Sequence, residues 1–230
     1  MTVILELEKK IKNIMGRKLH NKLSNMSYYK NYAASTGLVH NIANHENAVK
    51  CIFEAENFTQ FITKQSKETI HTWIQDPKTS INMPVNTFIH QPCGSQASPD
   101  FIIKFIDKSI LAIECKTSSN GAFPMYNSGG VKSNYLYVFS SKNTNQTVLY
   151  MGYNIITSEQ QKLIDEHIEE ARIRDEILNK KLRECDTNHR GISYYTRPMI
   201  TQNGGSSYTN YYTHVNRERD CNSVIEFMSK

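Results

Sequence analysis

Two short apolar segments, residues 101–106 and 110–113, most constrain the fold of this chain, because only three polar residues separate them. Such spacing predicts an antiparallel hairpin with a short loop. Asp100 precedes the first segment, whereas Glu114 and Lys116 follow the second. Folding the two strands against each other therefore returns Asp100 to the neighbourhood of Glu114 and Lys116, and gathers two carboxylates and one amine at a single end of the hairpin.

These charged groups need compensation, because a carboxylate is expensive to remove from water unless it is paired. A divalent cation compensates two carboxylates, and the hard oxygens of Asp100 and Glu114 suit Mg²⁺. The backbone carbonyl of Cys115 is a third candidate oxygen ligand. Lys116 lies two residues after Glu114 on the same predicted strand and so projects from the same face. There it can orient or polarise a water molecule, or stabilise charge on phosphate oxygens, as phosphodiester hydrolysis requires.

A fourth acidic residue, Glu46, belongs to a helix predicted over residues 42–58. It falls on the apolar stripe of that helix, together with Val49 and Phe53, whereas Glu54 lies on the opposite, solvated face. Two interpretations are open at this point. Glu46 is either a boundary residue whose carboxylate reaches water, or an accessory catalytic acid that points at the metal site.

The composition favours a protein without disulfides or membrane spans. The five cysteines are odd in number, widely spaced and not arranged as a zinc site, which favours reduced thiols in a cytoplasmic protein. The first ten residues lack the apolar core of a signal peptide, and no segment approaches the length of a membrane span. A formal charge of +5 favours a polyanionic partner, although many ordinary soluble proteins carry such a charge.

Apolar periodicity predicts further elements on both sides of the hairpin. They are helices over residues 2–23, 69–74 and 157–186, and strands over 85–90, 135–139 and 147–153. The last helix would be about 40 Å long at ~1.5 Å per residue, and it either crosses a dimer interface or lies peripherally on the surface. Alternating aromatic and polar residues predict a C-terminal β-hairpin of residues 193–201 and 208–215. The prediction is an α/β (α+β) protein with a core over 1–186 and an extension of the same domain over 187–230.

The charged ends of the central hairpin also match a known motif. Pro99-Asp100, followed after thirteen residues by Glu114-Cys115-Lys116, resembles the PD-(D/E)XK nuclease superfamily, and most closely the type II restriction endonucleases. Two flanking segments are similar to that group, Gln91-Pro92-x-Gly94-Ser95-Gln96 before the Pro-Asp pair and residues 124–129 after the lysine. The resemblance covers roughly residues 37–153.

This resemblance implies a restriction-endonuclease-like core, with a central mixed β-sheet flanked by helices. It also implies dependence on Mg²⁺ and cleavage of duplex DNA to 5′-phosphate and 3′-hydroxyl ends. Asp100 and Glu114 match the metal-binding acids of the superfamily, and Lys116 matches its catalytic lysine. Glu46 matches, more loosely, the acid that many members supply from the helix before the sheet.

One segment, residues 117–134, departs from the pattern of the superfamily. Members usually carry a long helix there, whereas Gly and Pro interrupt this segment, so that it is either a short helix over 129–134 or a DNA-contacting loop. The loop before Asp100 is expected to contact sugar and phosphate, and residues 118–134 and the C-terminal hairpin are expected to contact base edges. The candidate DNA contacts are Gln91, Ser95, Gln96, Asn127, Lys132, Asn134, Arg197, Gln202 and Asn203.

The sequence therefore predicts a Mg²⁺-dependent, site-specific endonuclease of double-stranded DNA, acting as a homodimer inside a bacterial or virus-infected cell. Two alternatives remain at this point. One is a repair or junction-resolving nuclease of the same fold, which would recognise DNA shape instead of sequence. The other is a non-catalytic DNA-binding module with a vestigial site.

Overall fold

The computed structural model describes residues 2–25, 29–30, 42–118, 121–127 and 129–229, and its centre is a six-stranded mixed sheet. The strands are β1 (Thr59–Gln60), β2 (Thr87–His90), β3 (Phe101–Lys104), β4 (Ile110–Ser118), β5 (Tyr135–Ser141) and β6 (Gln146–Met151). They follow one another across the sheet in chain order. The β1–β2 and β4–β5 pairs are parallel, and the other neighbouring pairs are antiparallel.

Helices flank this sheet, so the predicted mixed α/β architecture is confirmed. The helices are α1 (Thr2–Leu23), α2 (Ile42–Ala55), α3 (Lys67–Gln75), α4 (Ser158–Glu184), α5 (Ser206–Thr209) and α6 (Arg217–Ser229). Helix α2 ends earlier than predicted, and Asn57 beyond its end has a φ of 65°. No helix in the described part of the chain is long and apolar enough to cross a membrane.

The two faces of the sheet carry separate apolar clusters, because successive residues of a strand point to opposite sides. On β4, Ile113 and Cys115 join the cluster that α1, α2 and α6 cover. Ala112 lies in the other cluster, with α3 and buried tyrosines from β5, β6 and the tail. Glu114 is two residues beyond Ala112 and therefore shares the tyrosine-rich face.

The predicted central hairpin is present as β3 and β4. Phe101 pairs with Ile113 and Lys104 pairs with Ile110 in antiparallel register. The turn is also tied to the first helix, since Lys12 Nζ lies 3.0 Å from Asp107 Oδ2. Because the register sets Phe101 against Ile113, it places Asp100 next to Glu114 at one end of the β3–β4 pair.

The C-terminal β-hairpin predicted over 193–201 and 208–215 is wrong. Ile200 makes an isolated antiparallel bridge with Tyr126 instead of with the tail, and residues 206–209 form the short helix α5. Tyr211 and Tyr212 are both buried, which two successive residues of a half-exposed strand cannot be. The large apolar area of these two rings, buried against Phe139 of the sheet, outweighs local strand propensity.

The tail ends in α6, which lies against α1 and β6 and completes the cluster on that face of the sheet. We expect Met228→Ala to destabilise the protein by about 2–4 kcal/mol, because this side chain is 1% exposed and its loss leaves a cavity. Phe227→Ala is the matched control, since the neighbouring ring is 36% exposed. Chemical denaturation measures both, and equal effects would show that α6 does not pack as described.

Residues 117–134 connect two parallel strands without a helix in their described part. Strand β4 continues to Ser118, and residues 121–127 and 129–134 are irregular, so the alternative of a short helix over 129–134 is wrong. Residues 119, 120 and 128 lie outside the described part of the chain. The hydroxyl of Tyr126 lies 2.8 Å from that of Tyr150 and 2.9 Å from that of Tyr211, which fastens this loop to both sheet and tail.

Candidate active site

Strand β4 supplies two of the candidate catalytic groups, Glu114 and Lys116. They are two residues apart on one strand, and Lys116 Nζ donates to Glu114 Oε1 at 2.7 Å. Their side chains are only 5% and 8% exposed. The second carboxylate oxygen, Glu114 Oε2, is buried and has no hydrogen-bond partner among the described residues. Such an oxygen has lost its hydrogen bonds to water and has gained none from the protein, which is energetically unfavourable.

Asp100 lies immediately before β3 and reaches across to β4. Its Oδ2 accepts a hydrogen bond from the backbone N–H of Cys115 at 2.6 Å, and its backbone carbonyl accepts one from the N–H of Gln91 at 2.7 Å. These two bonds fix the carboxylate of Asp100 beside Glu114. The carbonyl of Cys115, as a metal ligand, stays a prediction.

Helix α2 brings Glu46 to the same end of the sheet. Its Oε2 accepts a hydrogen bond from Gln91 Nε2 at 3.1 Å and lies 3.2 Å from His90 Nε2, which donates a second one when that nitrogen is protonated. Glu46 is buried, so its carboxylate is held by protein donors instead of reaching into water. Its role as an accessory catalytic acid stays a prediction.

His90 is a site residue that the sequence reasoning did not single out. It ends β2, contacts Glu46 and stacks its ring on Phe101 at a centroid distance of 4.8 Å. The available signal was its place beside Gln91 at the end of a predicted strand. The sequence does not show that His90 contacts Glu46, because α2 lies next to β2 only in the tertiary structure.

The three carboxylates act on one another electrostatically. Burial, with the neighbouring carboxylates of Glu114 and Glu46, raises the pKa of Asp100 to about 8, although the Cys115 amide opposes the shift. Burial also raises the pKa of Glu114, and Lys116 offsets part of that rise. The site therefore holds more potential negative charge than its own cation neutralises.

The donor set fits a divalent cation in its chemistry. Carboxylate oxygens are the ligands that Mg²⁺ prefers, and the buried, unpartnered Glu114 Oε2 is an oxygen of that type. Across the described residues, no three His, Cys, Asp or Glu side chains are grouped closely enough to form a ready-made metal cluster. Asp100, Glu114 and Glu46 are the residues that would hold the ion.

The predicted DNA contacts before Asp100 fall in two environments. Gln91 has a φ of 48° and belongs to the site through its bond to Glu46. Ser95 and Gln96 are exposed in the turn that follows Gln91 and leads back to Asp100. The loop therefore joins the carboxylate cluster to the surface.

The contacts predicted after Lys116 are partly brought together by the bridge between Tyr126 and Ile200. Arg197 is exposed, and its Nε donates to the backbone carbonyl of Asn127 at 3.4 Å. Lys132 Nζ lies 3.1 Å from Asp165 Oδ1 on α4, so that its charge is already paired.

The remaining three contacts differ in exposure. Asn134 and Asn203 are exposed. Gln202 is half-buried and lines a pocket of about 130 Å³ together with Tyr211 and Arg217, and its Oε1 is buried. Gln202 is therefore less accessible to a ligand than Asn134 and Asn203 are.

Comparison with known proteins finds no match to this chain, whether among family models, curated proteins or solved structures. Any functional conclusion therefore depends on the site itself.

Proposed function

We propose that this protein is a Mg²⁺-dependent, site-specific endonuclease with a restriction-endonuclease-like core. It hydrolyses phosphodiester bonds of double-stranded DNA to 5′-phosphate and 3′-hydroxyl ends and works inside the cell. One observation carries the proposal. Asp100, Glu114, Lys116 and Glu46 come from three different elements and meet at one end of the sheet, with a buried carboxylate oxygen left without a partner.

Each side chain of the site has a role that its contacts support. Asp100 is held in one orientation by the Cys115 amide, which keeps its carboxylate directed at the site. Lys116 can donate to the attacking water or to a phosphate oxygen, because an ammonium has three N–H donors and its bond to Glu114 uses one of them. When bound, a divalent cation supplies a Lewis acid for the phosphoryl group and lowers the pKa of water. Gln91 and His90 keep Glu46 turned toward the other acids.

A non-catalytic DNA-binding module explains these observations poorly. Three carboxylates placed where a phosphate would approach weaken binding of a polyanion unless a cation accompanies it. An acidic cluster buried behind a polar loop therefore supports a metal-assisted reaction on phosphate better than simple DNA binding. The net charge of +5 supports a nucleic-acid substrate.

A plasmid digest with Mg²⁺ tests the proposal. Discrete bands mean cleavage at a defined sequence, and the fragments should ligate directly but fail to ligate after phosphatase treatment, because ligase requires a 5′-phosphate and a 3′-hydroxyl. A smear, or cleavage of branched DNA alone, would exclude sequence-specific cleavage and favour the repair or junction-resolving nuclease. Absence of cleavage, together with salt-dependent binding of duplex DNA, would favour the non-catalytic module.

The role of Glu46 gives a separate expected result. Glu46→Gln should raise the Mg²⁺ concentration required for half-maximal cleavage by about tenfold, because it removes one negative charge next to Asp100. Glu54→Gln is the matched control, since Glu54 belongs to the same helix but is exposed. If both variants titrate like the parent protein, Glu46 is a structural acid that only fastens α2 to the loop.

A further inference from the structure

A polar pocket lies between the C-terminal tail and the end of β6. Its volume is about 130 Å³, and Tyr150, Tyr208 and Tyr211 are among the residues that line it. Tyr150 and Tyr211 are buried, whereas the side chain of Tyr208 is 69% exposed, so the pocket reaches the surface beside that ring. A cavity of roughly 150 Å³ can hold one benzene ring. The pocket therefore has the size that suits a ligand with a single ring.

Groups of both charge signs line this pocket. Asp220 is buried, and its Oδ1 accepts two hydrogen bonds from Arg219, which leaves the carboxylate able to accept more. Arg217 donates one of its N–H groups to the backbone carbonyl of Tyr212 at 2.7 Å and keeps the others. A ligand with a net charge of either sign would be repelled by Asp220 or by Arg217. The ligand that fits is therefore neutral and carries hydrogen-bond donors as well as acceptors.

Two further side chains determine which polar groups the ligand has to present. Gln202 Oε1 is buried and lacks a hydrogen-bond partner in the part of the chain that the structure describes. It therefore calls for a donor on the ligand, as the carboxylate of Asp220 does. His214 Nδ1 accepts the backbone N–H of Asn216 at 3.1 Å, so that the hydrogen of the neutral imidazole is on Nε2. The pocket thus combines acceptors with the donors of His214 and Arg217.

Among the DNA bases, cytosine matches this combination best. It has a single ring, and its N4 amino group is a donor to carboxylate and amide oxygens. Its ring nitrogen and its carbonyl oxygen can accept from His214 and Arg217. Thymine has the same ring, but it carries an oxygen in place of the amino group and would set that oxygen against Gln202 and Asp220. Adenine and guanine have a second ring and exceed the size of the pocket.

The pocket lies on the same face of the sheet as the candidate active site. Tyr150 pairs with Tyr137, and Tyr137 pairs with Glu114. Directly paired residues of neighbouring strands project to the same side, so Tyr150 and Glu114 share a face. Two strand spacings of ~4.8 Å separate their backbones by about 10 Å. Duplex DNA rises ~3.4 Å per base pair, so this distance corresponds to about three base pairs.

We propose that this pocket receives a cytosine that leaves the base stack of the DNA substrate, and that Gln202 recognises its amino group. The inference rests on the proposed function, because the base comes from the duplex that the enzyme cleaves. A base that stays stacked in the duplex cannot reach into such a pocket. Extrusion brings the base to Gln202, although this side chain is half-buried. The exposed ring of Tyr208 is placed to stack on the base at the mouth of the pocket.

Binding of two short duplexes tests the proposal without cleavage and without knowledge of the recognition sequence. Each duplex carries one central abasic site, which lies opposite cytosine in the first and opposite thymine in the second. Neither base then has to be unpaired before it enters the pocket. In the presence of a chelator, gel-shift titration should show that the cytosine duplex binds about tenfold more tightly. Equal dissociation constants for the two duplexes would overturn the proposal.

Gln202→Ala removes the acceptor that distinguishes the two bases. This variant should bind the cytosine duplex about tenfold more weakly than the parent does and should bind both duplexes alike. Gln75→Ala is the matched control, because it removes an exposed glutamine at the end of α3 and should keep the preference for cytosine. Circular dichroism verifies that both variants are folded. A folded Gln202→Ala protein that still prefers cytosine would exclude Gln202 as the recognising residue.

Tyr208→Ala tests the mouth of the pocket with a variant whose folding is not at risk, because the ring is largely exposed. It should weaken binding of the cytosine duplex by about tenfold, since the stacking contact is lost. Unchanged binding would overturn the stacking of the base at this position.

The source of the base and the proposed function can be separated by two further measurements. Calorimetric titration with cytidine reports on a free nucleoside. Cytidine that binds to the parent while the two duplexes bind equally would overturn extrusion and make the pocket a nucleoside site. Plasmid cleavage together with equal duplex binding would remove the cytosine pocket alone. A preference for the cytosine duplex without any plasmid cleavage would support the pocket and exclude the nuclease.

Discussion

Asp100→Ala and Lys116→Ala are each expected to reduce cleavage of duplex DNA by on the order of 10³-fold. Asp100→Ala removes one acid next to Glu114, and Lys116→Ala removes the ammonium that contacts Glu114. Binding of duplex DNA without cleavage should persist. Gel-shift titration and single-turnover cleavage of the same fragment separate the two effects.

Lys142→Ala is the control for these two variants, because it removes a lysine that is exposed on the β5–β6 turn. It should cleave like the parent protein. Lys116→Ala leaves the buried carboxylate of Glu114 without its partner, so its thermal unfolding must be measured alongside activity. If folded Asp100→Ala and Lys116→Ala proteins both cut at the parent rate, the reaction takes place elsewhere in the molecule.

The second expected result concerns stability and pH in the presence of a chelator. The pKa of Asp100 is about 8 in the folded protein, well above the 3.8 that is usual for an aspartate in an unfolded chain. A raised pKa contributes stability that is fully present below the unfolded value and is lost as the pH rises through the folded one. Between about pH 5 and pH 7, Asp100 by itself should lower the stability of the metal-free protein by at most about 1.4 kcal/mol per pH unit. The raised pKa of Glu114 acts in the same direction.

Asp100→Asn provides the matched comparison, because the amide keeps the size of the side chain without the charge. In chelator at pH 8 this variant should melt at a higher temperature than the parent, and its melting temperature should depend less on pH. Added Mg²⁺ should stabilise the parent more than the variant, since binding to the folded state alone shifts the unfolding equilibrium. Identical pH profiles for the two proteins would mean that Asp100 is solvated and unperturbed.

The central hairpin was predictable because its determinants are local. Two apolar segments separated by three polar residues allow few alternatives to an antiparallel pair, and the register found between Phe101 and Ile113 follows from that short loop. The proximity of Asp100 to Glu114 and the shared face of Glu114 and Lys116 then follow from strand geometry alone. The start of helix α4 was equally predictable, because its capping box of Thr157 and Gln160 is a local pattern within four consecutive residues.

The tail was not predictable from its pattern, although aromatic and polar residues alternate along it. Strand propensity describes how well a side chain fits a half-buried pleated surface, so it depends on which side chains surround that segment in the folded protein. Here the surface of β5 and β6 offers Phe139 and Tyr150, and Tyr211 packs against both rings. Because the adjacent residues Tyr211 and Tyr212 are both buried, this segment cannot alternate between buried and exposed side chains as a strand does.

The sequence by itself determined the charged hairpin, and with it three of the four side chains of the candidate site. The tertiary structure alone decided that Glu46 is held by His90 and Gln91, because α2 and β2 are more than thirty residues apart along the chain. It also decided that Glu114 Oε2 is buried without a partner. Local patterns specify what each segment can form, whereas the surroundings of a buried charge depend on every element packed around it.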